Sequence, residues 1–343
     1  MDVTAIGGKG GARSAPIVGN KAVEPWILVQ SPAMAGFGKS NKDKNMLLRP
    51  DCIPCILKMT ITSLRKLPLD EDSLKALYTD ILKNPALHGL DWDTTSVEVI
   101  EDIWRKIVKK MGTEDPFSSE KSAQNKKILD LYPYLEKMVN AAPDPIYMAV
   151  KLSILGNSMD LMVADTSITI ENSISEKVKV PLSDKNYSQF RQQLMASKHL
   201  LIFGDNAGEI VFDKLLIETI QKIHQPEITF VVRSVPTLND ATLKEAKSVG
   251  LDKVAAVIQN GIDGPLPGTL LNRCSSEVND LVRQADLIIS KGGGNFDTLD
   301  EESKNLDKNI SFLLLSKCHP YCNHFDINLY QPILANSYPP QAV

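Results

Sequence analysis

The stretch from His199 to Asp213 carries the residues best suited to chemistry. An apolar segment, His199-Leu200-Leu201-Ile202-Phe203, breaks into Gly204-Asp205-Asn206-Ala207-Gly208-Glu209, and helical spacing then resumes through Ile210, Val211 and Asp213. That pattern predicts a buried strand, a tight turn and a helix. Ligands of open α/β sheets bind outside the carboxyl ends of the strands, so Asp205 and Asn206 stand where a metal or anion site belongs. Asp205 offers a hard anionic oxygen and Asn206 a neutral carbonyl oxygen, a set suited to Mg²⁺ or Mn²⁺. The same two residue types also cap helices, and the turn alone leaves both readings open.

Two further strand ends favour the first reading. Glu227 to Ser234 is a second β-branched run, followed by Val235-Pro236-Thr237-Leu238-Asn239-Asp240 and a helical pattern from Ala241 to Val249. Ala285 to Ser290 is a third, and it runs into Lys291-Gly292-Gly293-Gly294-Asn295-Phe296-Asp297. Three glycines free backbone N–H groups to face an anion and Lys291 adds a point charge, the chemistry of a phosphate cradle. A glycine-rich lysine loop beside two carboxylate-bearing loops on one sheet edge is stronger than any of the three alone.

In these motifs the chain resembles the damage-control phosphatases, the family catalogued as domain of unknown function 89. The matching segments are Asp205-Asn206-Ala207-Gly208-Glu209, Asn239-Asp240-Ala241-Thr242 and Lys291-Gly292-Gly293-Gly294-Asn295. Arg49-Pro50-Asp51-Cys52-Ile53-Pro54-Cys55 resembles the Cys-x-x-Cys start of its prokaryotic-type subfamily, and Gly156-Asn157-Ser158-Met159-Asp160 resembles its Gly-Asn-x-x-Asp motif. The likeness spans roughly residues 48 to 330. It implies that Asp205, Asn206 and Asp240 ligate one divalent metal (Mn²⁺, Mg²⁺, Co²⁺ or Ni²⁺) that holds the phosphate of a small phosphorylated metabolite. Asn157 and Asp160 are then expected in the same pocket, with Lys291 on the phosphate. Glu209, Gly292, Gly293, Asn295, Asp297 and Lys317 are expected to meet substrate. The family pattern has glutamate where this chain has Asp297, which withdraws the charge by about one methylene.

The implied reaction is hydrolysis of a phosphate monoester, a sugar phosphate or a damaged phosphometabolite. Lys291 and the loop amides would stabilise the non-bridging oxygens, and water would be the nucleophile, with Asp205 as metal ligand. An aspartyl-phosphate on Asp205 is the alternative route. Two other classes compete: an S-adenosylmethionine-dependent carboxyl methyltransferase and a non-catalytic metal or phosphate-binding module. Against the first, Gly204-Asp205-Asn206-Ala207-Gly208 puts charge where a nucleotide-binding turn needs bare backbone. The second would retain ligand without turnover.

The elements that must position these residues fall into three parts. Residues 1–45 are rich in Gly, Ala, Ser, Pro and Lys with little periodicity and read as a flexible leader, or alternatively as a strand around Trp26-Ile27-Leu28-Val29 docked on the body. Residues 46–163 give amphipathic patterns at Ile56 to Leu67, Ser73 to Leu82, Val97 to Met111 and Lys127 to Val139, with a further helix, Pro145 to Met159, delivering Asn157 and Asp160 to one side. Residues 164–343 alternate strands and helices, the signature of parallel βαβ units. The expected fold is α/β, a three-layer doubly wound, mostly parallel sheet with an N-terminal all-helical domain.

Of 343 residues, 43% are hydrophobic and 23% charged, ordinary for a globular protein, and the formal charge of −4 gives no electrostatic footprint for nucleic acid. No run of eighteen apolar residues suggests a membrane span, and the start lacks a secretory pattern. A cytoplasmic enzyme is expected. Five cysteines, an odd count, argue against a disulfide scaffold. Cys52 and Cys55 lie one helical turn apart, and Cys318, His319, Cys322 and His324 cluster near the C-terminus. Structural Zn²⁺ on these two groups is the less favoured reading, because the second lacks a settled spacing. The favoured one is a pair of buried thiols on a helix face. Cys274 and His88 carry no expected role.

Overall fold

The strands are where the sequence places its apolar runs. The computed structural model describes residues 46–158, 169–303 and 305–339. The expected leader and the strand around Trp26 lie outside these residues, as does Asp160. Six strands form one sheet: β1 (His199–Phe203), β2 (Glu227–Val232), β3 (Ala256–Gln259), β4 (Leu287–Lys291), β5 (Ile310–Leu315) and β6 (Pro332–Ser337), in the order β3-β2-β1-β4-β5-β6. The first five are mutually parallel and β6 pairs antiparallel with β5. The chain leaves β1 toward β2 on one side and returns as β4 on the other. The carboxyl end of β1 is therefore the topological switch point, where a crevice opens in such sheets.

Both faces of the sheet are covered, so its strands alternate between two cores. Leu200, Ile202, Phe230 and Ile289 pack into one, and Leu201, Phe203, Val231 and Ile288 into the other. This is the expected three-layer doubly wound arrangement. Helix Pro145–Gly156 is mostly apolar, and every residue from Ala149 to Gly156 is buried, Lys151 and Ser153 included, as in an interior helix. It packs against helix Glu209–Ile223, and this pair sets Asn157 against the end of β1.

The N-terminal helices are Cys52–Leu64, Glu71–Ile81, Ser96–Met111, Ser118–Asp130 and Tyr132–Ala141. The first three have a core of their own around Leu64, Ile81, Ile103 and Trp104, while the last two bury Ile128, Leu135 and Val139 in the core on one face of the sheet. By contact, all described residues belong to one compact unit, Lys44–Val343. The segment expected as one helix, Lys127 to Val139, is two. Leu131 closes one and opens the next, with Pro133 in the first turn of the second, where its fixed φ and missing N–H cost least.

Helix Ser118–Asp130 ties this layer to the strand ends. Fully buried Lys121 sends Nζ to Asp115 Oδ2 at 2.7 Å, Glu245 Oε2 at 3.4 Å and the Asp240 carbonyl at 3.5 Å. Asn125 Oδ1 accepts from the Gly208 N–H at 2.6 Å, while its Nδ2 donates to the Glu245 carbonyl. The two loops carrying Asp205 and Asp240 thus share one clamp. Replacing Lys121 with methionine leaves Glu245 buried without its cation, and breaking such a pair costs about 3–5 kcal/mol. Urea unfolding of Lys121→Met should show a loss of that order; a loss below about 1 kcal/mol would contradict the clamp.

Candidate active site

Backbone hydrogen bonds fix the two acidic loops before any side chain is considered. The Ala241 N–H donates to the Asp205 carbonyl at 2.8 Å, the Ala207 N–H to the Asn239 carbonyl at 2.8 Å, and Asn206 bridges to Asp240. Asp205 and Asp240 are consequently neighbours, and Asp205 does not cap the following helix. That helix starts at Glu209 behind Gly208, without a side-chain cap.

Arg233, the residue after β2, reaches both aspartates. Its Nε donates to Asp240 Oδ2 at 2.6 Å and its Nη2 contacts Asp205 Oδ1 at 3.3 Å. Nη1 donates to the Gly268 carbonyl and to Asn295 Oδ1 at 2.9 and 2.8 Å. The guanidinium is 3% exposed. Asp205 Oδ2 accepts from Asn157 Nδ2 at 2.9 Å and Asn206 Nδ2 at 2.6 Å, and both amides also donate to Glu209 Oε2. With its nitrogen so engaged, Asn206 leaves its carbonyl oxygen for another partner.

Lys291 is fully buried behind this group. Its Nζ meets Glu209 Oε1 at 2.9 Å and Asp213 Oδ1 at 3.1 Å, and donates to the Ser153 carbonyl and hydroxyl at 2.7 Å. These partners saturate an ammonium's three protons. The expected glycine-rich loop is instead the first turn of helix Gly292–Ser303. Gly292 has φ +77°, and a Cβ there would sit 1.9 Å from Asp205 Oδ2. The glycine is required by the close approach of the aspartate as well as by the backbone. Asn295 links Arg233 to the Gly204 and Lys291 carbonyls.

A cavity of about 320 Å³ opens above these residues. Of the expected site residues, Asn157, Asp205, Asn206, Asp240, Gly293, Asp297 and Lys317 line it, and Lys291, Glu209, Gly292 and Asn295 do not. Cys52, Cys55 and Cys318 line it too. The expectation of a buried thiol pair is therefore corrected: Cys52 is half-buried, Cys55 is exposed, and both are free. Among the described residues no three His, Cys, Asp or Glu side chains converge on a metal position. The candidate donor set is two aspartates and an asparagine.

Four acidic side chains (Asp205, Glu209, Asp213 and Asp240) meet two cations directly, Arg233 and Lys291, while Lys121 acts on Asp240 and Lys317 on Asp205 without an ion pair to either. Burial, then the charges of Asp240 and Glu209, push the Asp205 carboxyl well above the usual carboxylate range. Burial raises Asp240 also, against the pull of Arg233. Burial opposes the charge on Glu209 as well, but Lys291 and the Asn157 and Asn206 amides more than offset it, so its pKa falls. Across the cavity, Asp297 accepts from Tyr321 Oη at 2.8 Å and Ser96 Oγ at 3.0 Å, and burial raises it to about 7. Arg233 is the site residue that sequence reasoning missed. Its signal was a charged residue ending an apolar strand, at the same edge as Asp205.

Residues 48–332 match the family model of the damage-control phosphatase ARMT1-like domain. The chain belongs to that family. An uncharacterised protein of Methanocaldococcus jannaschii is 30% identical over 85% of this chain and 96% of its own length. A protein of Archaeoglobus fulgidus named damage-control phosphatase is 28% identical over 83% of this chain and 97% of itself. The crystal structure of a DUF89 family protein from Pyrococcus horikoshii superposes with a TM-score of 0.73 at 25% identity, covering 85% of this chain and all of that one. This six-stranded, mostly parallel sheet with its helices is thus a fold of the family.

Two measurements test the geometry. Lys291→Met strands Glu209 and Asp213 together without a cation, and should cost about 3–5 kcal/mol in urea unfolding; a near-neutral effect would show that Lys291 is free to serve elsewhere. Asp297 keeps in the folded chain a proton that it has lost in the unfolded chain between about pH 4 and 7. Its contribution to stability is present at low pH and lost as pH rises through about 7. Metal-free Asp297→Asn protein should gain on the wild type between pH 5 and pH 8, and a pH-independent difference would contradict the raised pKa.

Proposed function

We propose that the protein is a metal-dependent phosphatase of small phosphorylated metabolites, with Asp205, Asn206 and Asp240 holding one divalent cation. The observation that carries the reading is a pair of buried aspartates, Asp205 and Asp240, that share one guanidinium beside Asn206 at the floor of a cavity and whose carboxyls burial pushes up for want of a closer cation. Two carboxylate oxygens and an amide oxygen are hard donors, the chemistry of Mg²⁺ or Mn²⁺ sites. The name damage-control phosphatase, carried by the Archaeoglobus fulgidus relative, supports the phosphatase part of the reading. A bound divalent ion would neutralise phosphate charge and make phosphorus easier to attack.

The chain's own residues do the rest. Lys317 lines the cavity, forms no ion pair among the described residues, and its charge acts on Asp205. It is the cation for the phosphate oxygens, a part the sequence had given to Lys291. Gly293 and Gly294 line the same cavity, and their first-turn amides, without a partner in their own helix, stand at the end where a helix dipole favours an anion. Arg233 holds Asp205 and Asp240 at fixed separation. Asp297, whose carboxyl burial pushes up to about 7, gives its proton to the departing alcohol oxygen, and the Ser96 and Tyr321 hydroxyls hold it in place. Water cleaves the P–O bond, releasing an alcohol and inorganic phosphate.

Inorganic phosphate release from a panel of phosphomonoesters, with and without chelator, tests the reading. Wild-type turnover should require added metal, and Asp205→Asn and Asp240→Asn should abolish turnover while remaining folded. Lys317→Met should keep metal binding and lose about 2–4 kcal/mol of transition-state stabilisation, the size of one preorganised contact. Metal-independent turnover, or full activity in Asp205→Asn, would overturn it.

A further inference from the structure

The cavity has two unlike halves. Its floor is the acidic group at the strand ends, and much of its wall is apolar. Ile56 and Met59 come from helix Cys52–Leu64, Val97 and Ile100 from helix Ser96–Met111, and Leu238 and Pro267 from loops at the carboxyl edge of the sheet. Leu238 is the telling member. It has φ +43°, the left-handed region that a leucine enters only at a cost, and it packs half-buried against the core of the N-terminal helices. It sits two residues before Asp240, where glycine or asparagine would meet the backbone demand without strain. The two hydroxyls on the wall, Ser96 and Tyr321, are already spent on Asp297. Arg49, Asp51 and Asn239 also line the cavity, but against the aliphatic side chains a polyhydroxylated body would lose water without regaining hydrogen bonds.

From this we infer that the substrate is a phosphomonoester whose body is apolar, an alkyl, acyl or aryl chain, rather than a sugar, and that Leu238 is a specificity-determining residue gripping that body. The inference rests on the phosphatase reading for the phosphate end but on the wall for the body. The strain at Leu238 is retained because the side chain completes the apolar wall beside the metal loop.

Two measurements on the full-length chain separate the inference from the reading beneath it. The first is phosphate release by the metal-loaded protein from methyl, butyl and hexyl phosphate and from glucose 6-phosphate. The second, which needs no turnover, is calorimetric binding of methyl, butyl and hexyl phosphonate. Each buried methylene should tighten phosphonate binding by about fourfold until the wall is filled, and hexyl phosphate should exceed glucose 6-phosphate in kcat/KM by tenfold or more. Leu238→Gly relieves the backbone strain, which offsets part of the packing lost against the N-terminal helices, so it should remain folded yet flatten the chain-length gradient. A variant that lost stability and turned over all esters equally poorly would show a structural role only and overturn the assignment to Leu238. A flat phosphonate series, or glucose 6-phosphate hydrolysed as well as hexyl phosphate, overturns the inference while leaving phosphatase activity standing. A steep phosphonate series without any turnover supports the apolar wall and sinks the phosphatase reading instead.

Discussion

One guanidinium cannot neutralise two aspartates, and the site depends on that shortfall. Arg233 holds Asp205 and Asp240 together at the ends of neighbouring strands, fixing their separation while leaving their charge unbalanced. Desolvating an uncompensated carboxylate is among the most costly things a protein interior does. On the proposed reading, a cation bound at the cavity would supply the compensation that Arg233 alone does not.

The rest of the molecule keeps that arrangement from relaxing. Lys291 neutralises Glu209 from behind, so the amides of Asn157 and Asn206 can lie between Glu209 and Asp205. Lys121 and Asn125 clamp both acidic loops from the N-terminal helices. Gly292 lets a helix start against Asp205 itself. Each contact fixes a polar group that would otherwise turn toward a carboxylate or to water, and rigidity of this kind is what preorganised electrostatics require.

Much of this was legible in the sequence because abrupt changes of pattern mark strand ends. The break from Phe203 to Asp205 and that from Val232 to Asp240 announced both acidic loops, and the alternation of strands and helices announced the sheet. The two lysines were less readable. Lys291 follows a strand and precedes three glycines, which is what a phosphate cradle looks like, but sequence does not reveal that Glu209 and Asp213, a turn apart on another helix, point at it. Lys317 was expected to meet substrate on the family resemblance alone, with no motif around it to say how, and its place at the cavity comes from how β5 ends beside β4. Arg233 was hidden by the reading of its strand as a simple apolar run. The break at Leu131 was lost because an amphipathic pattern continues across Pro133, which a helix tolerates only in a first turn.

The most direct test is to ask where a cation goes. Crystals of the protein soaked in Mn²⁺ and measured for anomalous scattering should show one peak per chain, within coordination distance of carboxylate oxygens of Asp205 and Asp240 and of the Asn206 amide oxygen. An empty pair of aspartates with the peak at Cys52, Cys55 and Cys318, or with no peak at all at saturating metal, would contradict the account.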